Sequence, residues 1–170
     1  GITVSSAIGT IAEEIVFNRV SKVIQFTQAQ AGGRKGGSTA DHVFVLKNTM
    51  ALAKKQRRNL IITFYDAAKA YDKADMDNML FCINQAGVKG KLWRLVKSLN
   101  EGLSAQIKTK AGLTRKIQRD TGGKQGGKLI VPLFAKTMDT LPEEMIKQEE
   151  LGAQFGDSKI PCLVYMDDAI

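Results

Sequence analysis

The sequence predicts a single domain that combines α-helices with short β-strands. Several stretches repeat their apolar residues at the period of about 3.6 that is typical of amphipathic helices. Two shorter runs, residues 59–65 and 163–166, are largely apolar and rich in strand-forming residues, and aspartates follow each run directly. With 170 residues, 44% of them hydrophobic, the chain is long enough for one sizeable core and too short for two ordinary domains.

The charge of the chain favours an anionic partner. There are 25 lysine and arginine residues against 17 aspartate and glutamate residues, which gives a net charge of +8. Nucleic acid and an acidic membrane surface both fit this excess. No apolar run approaches the roughly 18–20 residues that span a bilayer, so we expect no membrane-embedded segment.

The cysteine and histidine content bears on compartment and metal chemistry. Cys82 and Cys162 both lie in apolar surroundings, which predicts buried reduced thiols and an intracellular protein, nuclear or cytoplasmic. Residues 1–6 lack the basic-then-apolar plan of a secretory signal. One histidine, His42, and two separated cysteines offer no zinc cluster, and we interpret His42 as an ordinary helix-start residue.

The helical pattern recurs along most of the chain. The predicted helices cover residues 6 to about 24, 42–58, about 74–85, 92 to about 101 and 129–138. In the first of them, the apolar face is formed by Ile8, Ile11 and Ile15 and, further on, by Val20 and Ile24. Glu13 and Glu14 are assigned to the opposite, solvated face.

The predicted strands are shorter and carry the acidic residues. Residues 59–65 read as a central, buried strand, and residues 105–119 read as a hairpin that turns at 111–112. A final hairpin over residues 159–170 presents Asp167 and Asp168 at its turn.

Three aspartates are the candidate catalytic residues. Adjacent carboxylates at the end of a strand repel each other, so a cation is expected beside them. If the two strands lie side by side, Asp66, Asp167 and Asp168 converge and can share two divalent cations about 3.5–4 Å apart. For Asp66 taken alone, a helix N-cap is the more common explanation.

Two glycine-rich basic loops are candidate phosphate contacts. The first, residues 30–41, contains Arg34 and Lys35, and the second, residues 121–128, contains Lys124 and Lys128. Glycines let the backbone approach a phosphate closely, and the cations supply charge. The alternative for the first loop is a flexible connection with solvated charges.

Four segments resemble motifs of one enzyme family, in the same order and at compatible spacing. Residues 165–168, Tyr-Met-Asp-Asp, match the Tyr-x-Asp-Asp signature of reverse transcriptases. Residues 66–72 resemble the Asp-x-x-Lys-Ala-Phe-Asp motif of non-LTR (LINE-type) retrotransposon enzymes. Residues 30–41 and 122–134 resemble that family's Gln-x-Gly-Phe-Arg-x-x-Arg-Ser-Thr-x-Asp and Gly-x-x-Gln-Gly-x-x-Leu-Ser-Pro-x-Leu-Phe segments.

The resemblance implies an α+β architecture and an incomplete enzyme. It implies a polymerase palm, an antiparallel sheet backed by helices over about 61–170, with fingers-side helices and a loop over about 1–60. The N-terminal part of the fingers, the primer grip and the thumb are expected to be missing from these 170 residues.

The resemblance also implies an activity, an RNA-directed DNA polymerase that works on an RNA template, a DNA primer and deoxynucleoside triphosphates. Asp66, Asp167 and Asp168 would hold two Mg²⁺ ions, with Mn²⁺ as an alternative. Other roles are implied for residues outside this triad. The incoming nucleotide is assigned to Tyr71, Gln125, Gly126 and Met166, and the nucleic-acid backbone to Arg34, Lys35 and Lys124.

Two alternatives remain open at the level of sequence. Gly33, Gly37 and Val131 depart from the family's Phe, Arg and Pro, which fits an inactive RNA-binding or maturase domain. An RNA-dependent RNA polymerase is disfavoured, because the family places a bulky residue at the position of Tyr71 to exclude ribonucleotides.

Overall fold

The fold is taken from a computed structural model that describes residues 6–118, 122–124, 126–148 and 150–170. It contains short and medium helices in the order α1 to α7. They are Ala7–Val20, Thr39–Lys55, Ala70–Lys73, Met76–Gln85, Gly90–Asn100, Ile130–Met138 and Thr140–Ile146. The strands are two or three residues long and are numbered β1 to β9. They are Tyr65–Asp66, Ser104–Ala105, Lys108–Thr109, Gly112–Leu113, Ile117–Gln118, Ala153–Phe155, Ser158–Ile160, Val164–Tyr165 and Asp168–Ala169.

The chain forms two compact units that interleave along the sequence. Unit 1 consists of Gly1–Ile24 and Lys69–Phe134, and unit 2 consists of Gln25–Ala68 and Ala135–Ile170. The structure mixes helices with small antiparallel sheets, as the α+β prediction requires. The predicted division into fingers and palm near residue 60 stays a prediction.

Unit 1 has a helical core. Apolar side chains from α1, α4, α5 and α6 are buried there, including Val20, Met79, Ile83, Val96 and Leu133. The predicted helix over about 74–85 is confirmed as α4, which begins after the cap residue Asp75. The chain leaves it through Gly87, whose φ of 101° suits glycine, the residue expected to end that helix.

The apolar face predicted for α1 is confirmed at Val20 and, beyond the helix, at Ile24, but it is wrong at the three isoleucines that precede them. Ile8 is 82% exposed and Ile15 is 49% exposed, whereas Glu13 is buried. The buried side of this helix carries Glu13, Val16 and Val20. Glu13 is tolerated there because its carboxylate forms an ion pair with Lys124, so no unpaired charge is buried.

A two-part hairpin also belongs to unit 1. β2 pairs with β5 and β3 pairs with β4, both antiparallel. The predicted hairpin is therefore present over its described part. Its turn lies at residues 110–111 rather than at 111–112, because Thr109 pairs with Gly112.

Unit 2 contains the three-stranded antiparallel sheet in the order β1, β9, β8. Ala29, Cys162, Val164 and Ala169 form a buried cluster beside it. Both cysteines are free and buried, as predicted. Burial, together with the negative charge of Asp139, raises the pKa of the Cys162 thiol to about 11.

The long central strand predicted over residues 59–65 is wrong. Only Tyr65 and the following Asp66 form a strand, and Ile61 is 91% exposed. β1 pairs with β9, which is itself two residues long, so the backbone preceding Tyr65 finds no ladder partner among the described residues. Apolar composition alone therefore overestimated both the length and the burial of this strand.

No described helix combines the length and the apolar character needed to cross a membrane.

Candidate active site

The three-stranded sheet places the predicted aspartates close together. In the pairing of β1 with β9, Asp66 lies directly opposite Asp168. Residues opposite each other in an antiparallel pair have Cα atoms about 4.5–5.5 Å apart. Asp167 precedes Asp168 in the turn between β8 and β9. Strand pairing thus makes neighbours of residues that are about a hundred positions apart in sequence.

The carboxylates lack counter-charges in the described part of the chain. Asp66 and Asp168 are exposed and Asp167 is half-buried. None of the three accepts a side-chain hydrogen bond or joins an ion pair with another described residue. Like charges directly opposite each other in a sheet are destabilising, and carboxylate oxygens are the ligands that Mg²⁺ and Mn²⁺ prefer. The donor set therefore fits a divalent cation.

The side chains do not already form a metal cage. Among residues 6–118, 122–124, 126–148 and 150–170, no three or more His, Cys, Asp and Glu side chains are grouped closely enough to hold an ion. The sharing of two ions by Asp66, Asp167 and Asp168 stays a prediction.

The turn that carries Asp167 has an unusual backbone. Tyr165 pairs with Asp168, which leaves a two-residue turn of Met166 and Asp167. Met166 has a φ of 59°, whereas Asp167 is not among the residues with positive φ, the pattern of a type II′ turn. Because a non-glycine residue at positive φ costs of order 1–3 kcal/mol, its surroundings must hold it in place.

Gln30 contacts this turn from the first glycine-rich loop. Its side chain is fully buried, and its Oε1 accepts hydrogen bonds from the backbone N–H of Met166 at 3.1 Å and of Gly32 at 2.8 Å. Its Nε2 donates to the carbonyl of Ala135 at 3.4 Å. All of its hydrogen-bonding atoms are therefore engaged.

The backbone around Gln30 forms a short parallel bridge to β8. The N–H of Ala31 donates to the carbonyl of Val164 at 2.9 Å, and the N–H of Val164 donates to the carbonyl of Ala29 at 2.8 Å. Gly32 follows, and a Cβ built on it would lie 2.6 Å from the Met166 nitrogen. The loop and the turn are in such close contact that only glycine fits at position 32.

A buried polar cluster anchors the chain just before this bridge. Asp139 is fully buried and accepts from the backbone N–H of Thr27 at 3.0 Å and from its hydroxyl at 2.6 Å. Lys136 donates to Asp139 at 3.1 Å, to Glu143 and to the carbonyl of Gln25 at 3.1 Å. Burial would lower the pKa of Lys136, but its bonds to Glu143 and Asp139 raise it overall, so the ammonium stays charged.

Sequence reasoning identified Gln30 only as a match to a family motif and gave it no role. The local signal was present, since a polar side chain between Ala29 and Ala31 in a stretch leading to glycine suggests a buried polar group. Lys136 lies on α6 and Asp139 directly follows it, and both were missed because this stretch was interpreted by its apolar period alone.

The cations of the first loop are exposed. Arg34 and Lys35 form no ion pair with any described acidic side chain. A Cβ at Gly37 would lie 2.0 Å from the Ala31 carbonyl oxygen, so this loop conformation excludes the family's arginine there. Ser38 caps α2, because its side-chain oxygen accepts a hydrogen bond from the N–H of Ala40.

His42 lies near this loop, in the first turns of α2. Its Nε2 is buried and has no hydrogen-bond partner among the described residues. Burial, and secondarily the positive charge of Arg34, lower its pKa, so its imidazole is neutral at pH 7.

The second loop belongs to unit 1, and its cations are paired. Lys124 forms an ion pair with Glu13, in which both side chains are largely buried, and Lys128 forms an exposed pair with Glu14. The prediction that Lys124 contacts nucleic acid is untested, but its charge is already compensated. Gly126 is exposed with a φ of 99°. Gln125 lies outside the described residues.

Tyr71 is half-buried in unit 1. Its ring stacks on Phe134 with centroids 4.4 Å apart, and its carbonyl accepts from the N–H of Gly123 at 2.9 Å. A Cβ on Gly122 would lie 2.7 Å from the carbonyl oxygen of Asp72. The stacked ring fits a role in core packing and leaves the predicted role in nucleotide selection open.

Unit 2 also contains a groove of about 1030 Å³. Its lining is mainly apolar and includes Met138, Met145, Cys162 and Ala169. The three aspartates are not among its lining residues, so this groove is distinct from the carboxylate site.

The sequence was also compared with known proteins. Residues 2–170 match the family model described as reverse transcriptase (RNA-dependent DNA polymerase). The chain belongs to the reverse transcriptase family. A curated relative, the retrovirus-related Pol polyprotein from type-1 retrotransposable element R2 of Popillia japonica, is 25% identical over 170 residues. The match covers 99% of this chain and 24% of the relative, so this reverse transcriptase domain spans about a quarter of that protein. The predicted resemblance to a non-LTR retrotransposon reverse transcriptase is thereby confirmed.

Proposed function

We propose that this domain carries the polymerase centre of an RNA-directed DNA polymerase. The observation that carries the proposal is the antiparallel pairing that sets Asp66 opposite Asp168, with Asp167 in the adjoining turn and no described counter-charge beside them. In a reverse transcriptase domain, an uncompensated carboxylate group of this kind is suited to nucleotidyl transfer.

The reaction joins a deoxynucleotide to a primer. The primer 3′-oxygen forms a bond with the α-phosphorus of the triphosphate, the bond from that phosphorus to the bridging oxygen breaks, and pyrophosphate leaves. Asp66, Asp167 and Asp168 would hold the two Mg²⁺ ions, or Mn²⁺ in their place. When bound, these ions lower the pKa of the 3′-hydroxyl and neutralise charge on the phosphates. The protein contributes a fixed array of carboxylate oxygens, set in register by strand pairing.

The nucleic acid would be held largely through its phosphates. Arg34 and Lys35 are exposed and free of described acidic partners, so they are available to a template or primer backbone. Phosphate contacts release counterions, and binding should therefore weaken steeply as salt rises. The short sheet of unit 2 supports its assignment as part of a palm, and α2 with the preceding loop supports a fingers assignment. We further propose that polymerisation needs more of the protein than these 170 residues.

The experiment is primer extension on an RNA template with the protein at its full natural length. Asp66→Asn and Asp168→Asn should each lower extension by about 10²–10³-fold, because each removes a charge that stabilises the transition state. Their melting temperatures should stay the same or rise, since repulsion between opposed carboxylates is relieved. Asp157→Asn, at the exposed turn between β6 and β7, is the matched control and should extend normally.

Normal extension by either site variant would contradict the proposal. RNA binding without extension, indifferent to Mg²⁺ and to both substitutions, would instead identify an RNA-binding module without catalysis.

Sugar selection provides a separate test. We propose that the ring of Tyr71 excludes ribonucleotides. Tyr71→Ala should then incorporate ribonucleotides, whereas Tyr71→Phe, which keeps the ring, should not. If Tyr71→Ala still rejects ribonucleotides and only loses stability, the stack on Phe134 is the whole role of this residue.

A further inference from the structure

We infer that Gln30 is a positioning residue for the catalytic turn: its amide fixes the Met166–Asp167 turn and thereby the aspartates that follow. This inference rests on the proposed function only for its kinetic consequence, because the contacts themselves are independent of any activity.

The Met166–Asp167 turn is held in an unfavourable backbone conformation. Met166 has a φ of 59°, which its side chain does not favour, so the turn needs support from outside its own hairpin. That support reaches the backbone directly, since Oε1 of Gln30 accepts from the N–H of Met166 at 3.1 Å. A shift of this peptide would displace Asp167, the next residue, and alter the start of β9 at Asp168.

Gln30 is itself immobilised. Its side chain is fully buried, and its Oε1 and Nε2 are also bonded to the N–H of Gly32 and the carbonyl of Ala135. Its backbone neighbours Ala29 and Ala31 both bond to Val164 of β8. The amide therefore has one allowed position relative to the strand that leads into the turn.

The segment before Gln30 is bonded to α6 and to the residue that precedes α7. The buried carboxylate of Asp139 holds both the backbone and the hydroxyl of Thr27, and Lys136 holds Asp139 together with the carbonyl of Gln25. A chain of direct contacts thus runs from this buried polar cluster to the turn. Each of these residues lies in unit 2.

The chemistry of the side chain explains why glutamine suits this position. The side chain at this position must accept from two backbone N–H groups and donate to one carbonyl, and a carboxamide can do both. Methionine has a similar length and no strong acceptor. Glutamate keeps the acceptor and loses the donor.

The test compares Gln30→Met with Gln28→Met in the protein at its full natural length. Gln28 is exposed two residues earlier, so it controls for the substitution itself. Amide hydrogen exchange is followed at Met166, whose N–H bonds to the Gln30 side chain. Val164 serves as the control amide, because its N–H bonds to the backbone carbonyl of Ala29. Gln30→Met should speed exchange at Met166 by about tenfold and leave Val164 protected, because only the former loses its acceptor.

Primer extension supplies the second readout. Gln30→Met should lower kcat by about 100-fold, with the KM values for primer–template and deoxynucleotide unchanged, because misplaced catalytic groups slow the chemical step rather than binding. Gln28→Met should leave both constants unchanged. Gln30→Glu, which retains Oε1, should keep the Met166 amide protected and should recover part of kcat.

The outcomes separate the two proposals. Normal exchange at Met166 in Gln30→Met overturns the inference, and so does fast exchange with a normal kcat. If Gln30→Met fails to fold, Gln30→Glu decides: loss of Met166 protection despite the retained acceptor would overturn it. If the unsubstituted protein extends no primer, the proposed polymerase function fails, and the exchange comparison alone decides whether Gln30 holds the turn.

Discussion

The two glycine-rich loops have similar compositions, yet the structure uses their charges in opposite ways. In the first loop, residues 30–41, Arg34 and Lys35 are exposed, while Gln30 and Gly32 contact the aspartate turn. In the second, residues 121–128, Lys124 and Lys128 are paired with Glu13 and Glu14 of α1 in the described part. Sequence composition predicted the same phosphate-binding role for both.

The difference shows that availability, rather than the number of cations, decides which loop can bind phosphate. A lysine whose charge is compensated by a buried carboxylate gains little by moving to a phosphate, because the carboxylate would be left unpaired in a poorly solvated site. Arg34 and Lys35 carry no such penalty. The first loop is therefore the better candidate for contact with nucleic acid.

The largest effect is expected from closing the space at Gly32. In Gly32→Ala, the new Cβ would lie 2.6 Å from the Met166 nitrogen. We expect a loss of about 3 kcal/mol in the free energy of unfolding, measured by denaturant titration, and severely reduced primer extension. Gly127→Ala in the second loop is the control, because its nearest atoms lie at 3.1 Å and include the flexible end of Glu13. Equal losses in the two variants would remove the distinction between the loops.

The next effect is on the paired lysine. Lys124→Ala leaves the largely buried Glu13 without its partner, and we expect the free energy of unfolding to fall by about 2 kcal/mol. Lys128→Ala breaks an exposed pair and should cost much less. Chemical denaturation of both variants measures the difference. A negligible change in the free energy of unfolding for Lys124→Ala would mean that the ion pair with Glu13 does not engage the charge of Lys124.

A third effect is on the salt dependence of nucleic-acid binding. Arg34→Ala and Lys35→Ala should each reduce the slope of log affinity against log salt concentration by about one. Arg34→Lys keeps the charge and should preserve the slope, and Lys124→Ala should also leave it unchanged. Filter binding of each variant to an RNA–DNA duplex over a range of salt concentrations measures this slope. An altered slope for Lys124→Ala alone would reverse the assignment of the loops.

The smallest effect is on the titration of His42. It is the single histidine of the chain, so its NMR signals are unambiguous. Burial and Arg34 lower its pKa, and Arg34→Ala should raise the pKa slightly while leaving it below the usual value of 6.5. The folded protein takes up this proton less readily than the unfolded chain. The contribution of neutral His42 to the free energy of unfolding is therefore fully present above pH about 6.5, and it is lost as the pH falls through the pKa of His42 in the folded protein.

A matching titration tests the second loop. A hydrogen bond from Lys128 lowers the pKa of Glu14, so Lys128→Ala should return that pKa toward 4.5. If the pKa of His42 does not change in Arg34→Ala and the pKa of Glu14 does not change in Lys128→Ala, Arg34 and Lys128 lie farther from these groups than the structure places them.

The parts of the fold that sequence predicted best were those governed by local chemistry. The apolar period of about 3.6 residues located α4 and α5 well. These features depend on residues three or four positions apart. Their signals are therefore complete within a short stretch of chain.

The parts that sequence mispredicted depend on distant partners. The buried side of the first turns of α1 was assigned wrongly, because burial of Glu13 requires Lys124, 111 positions away. The strand over 59–65 was too long because its extent is set by the length of β9. The proximity of Asp66 to Asp168 could be proposed only on the condition that their strands pair, and the link from Gln30 to Met166 left no periodic signal.

The interleaving of the two units has a practical consequence for dissecting this protein. The polypeptide passes from one unit to the other after Ile24, after Ala68 and after Phe134, and the last of these crossings falls inside α6. A single cut near residue 60 would leave both products with part of each hydrophobic core. Neither half can be expected to refold by itself. A shortened protein that contains only the aspartate-bearing unit would have to join residues 25–68 to residues 135–170 through a designed linker.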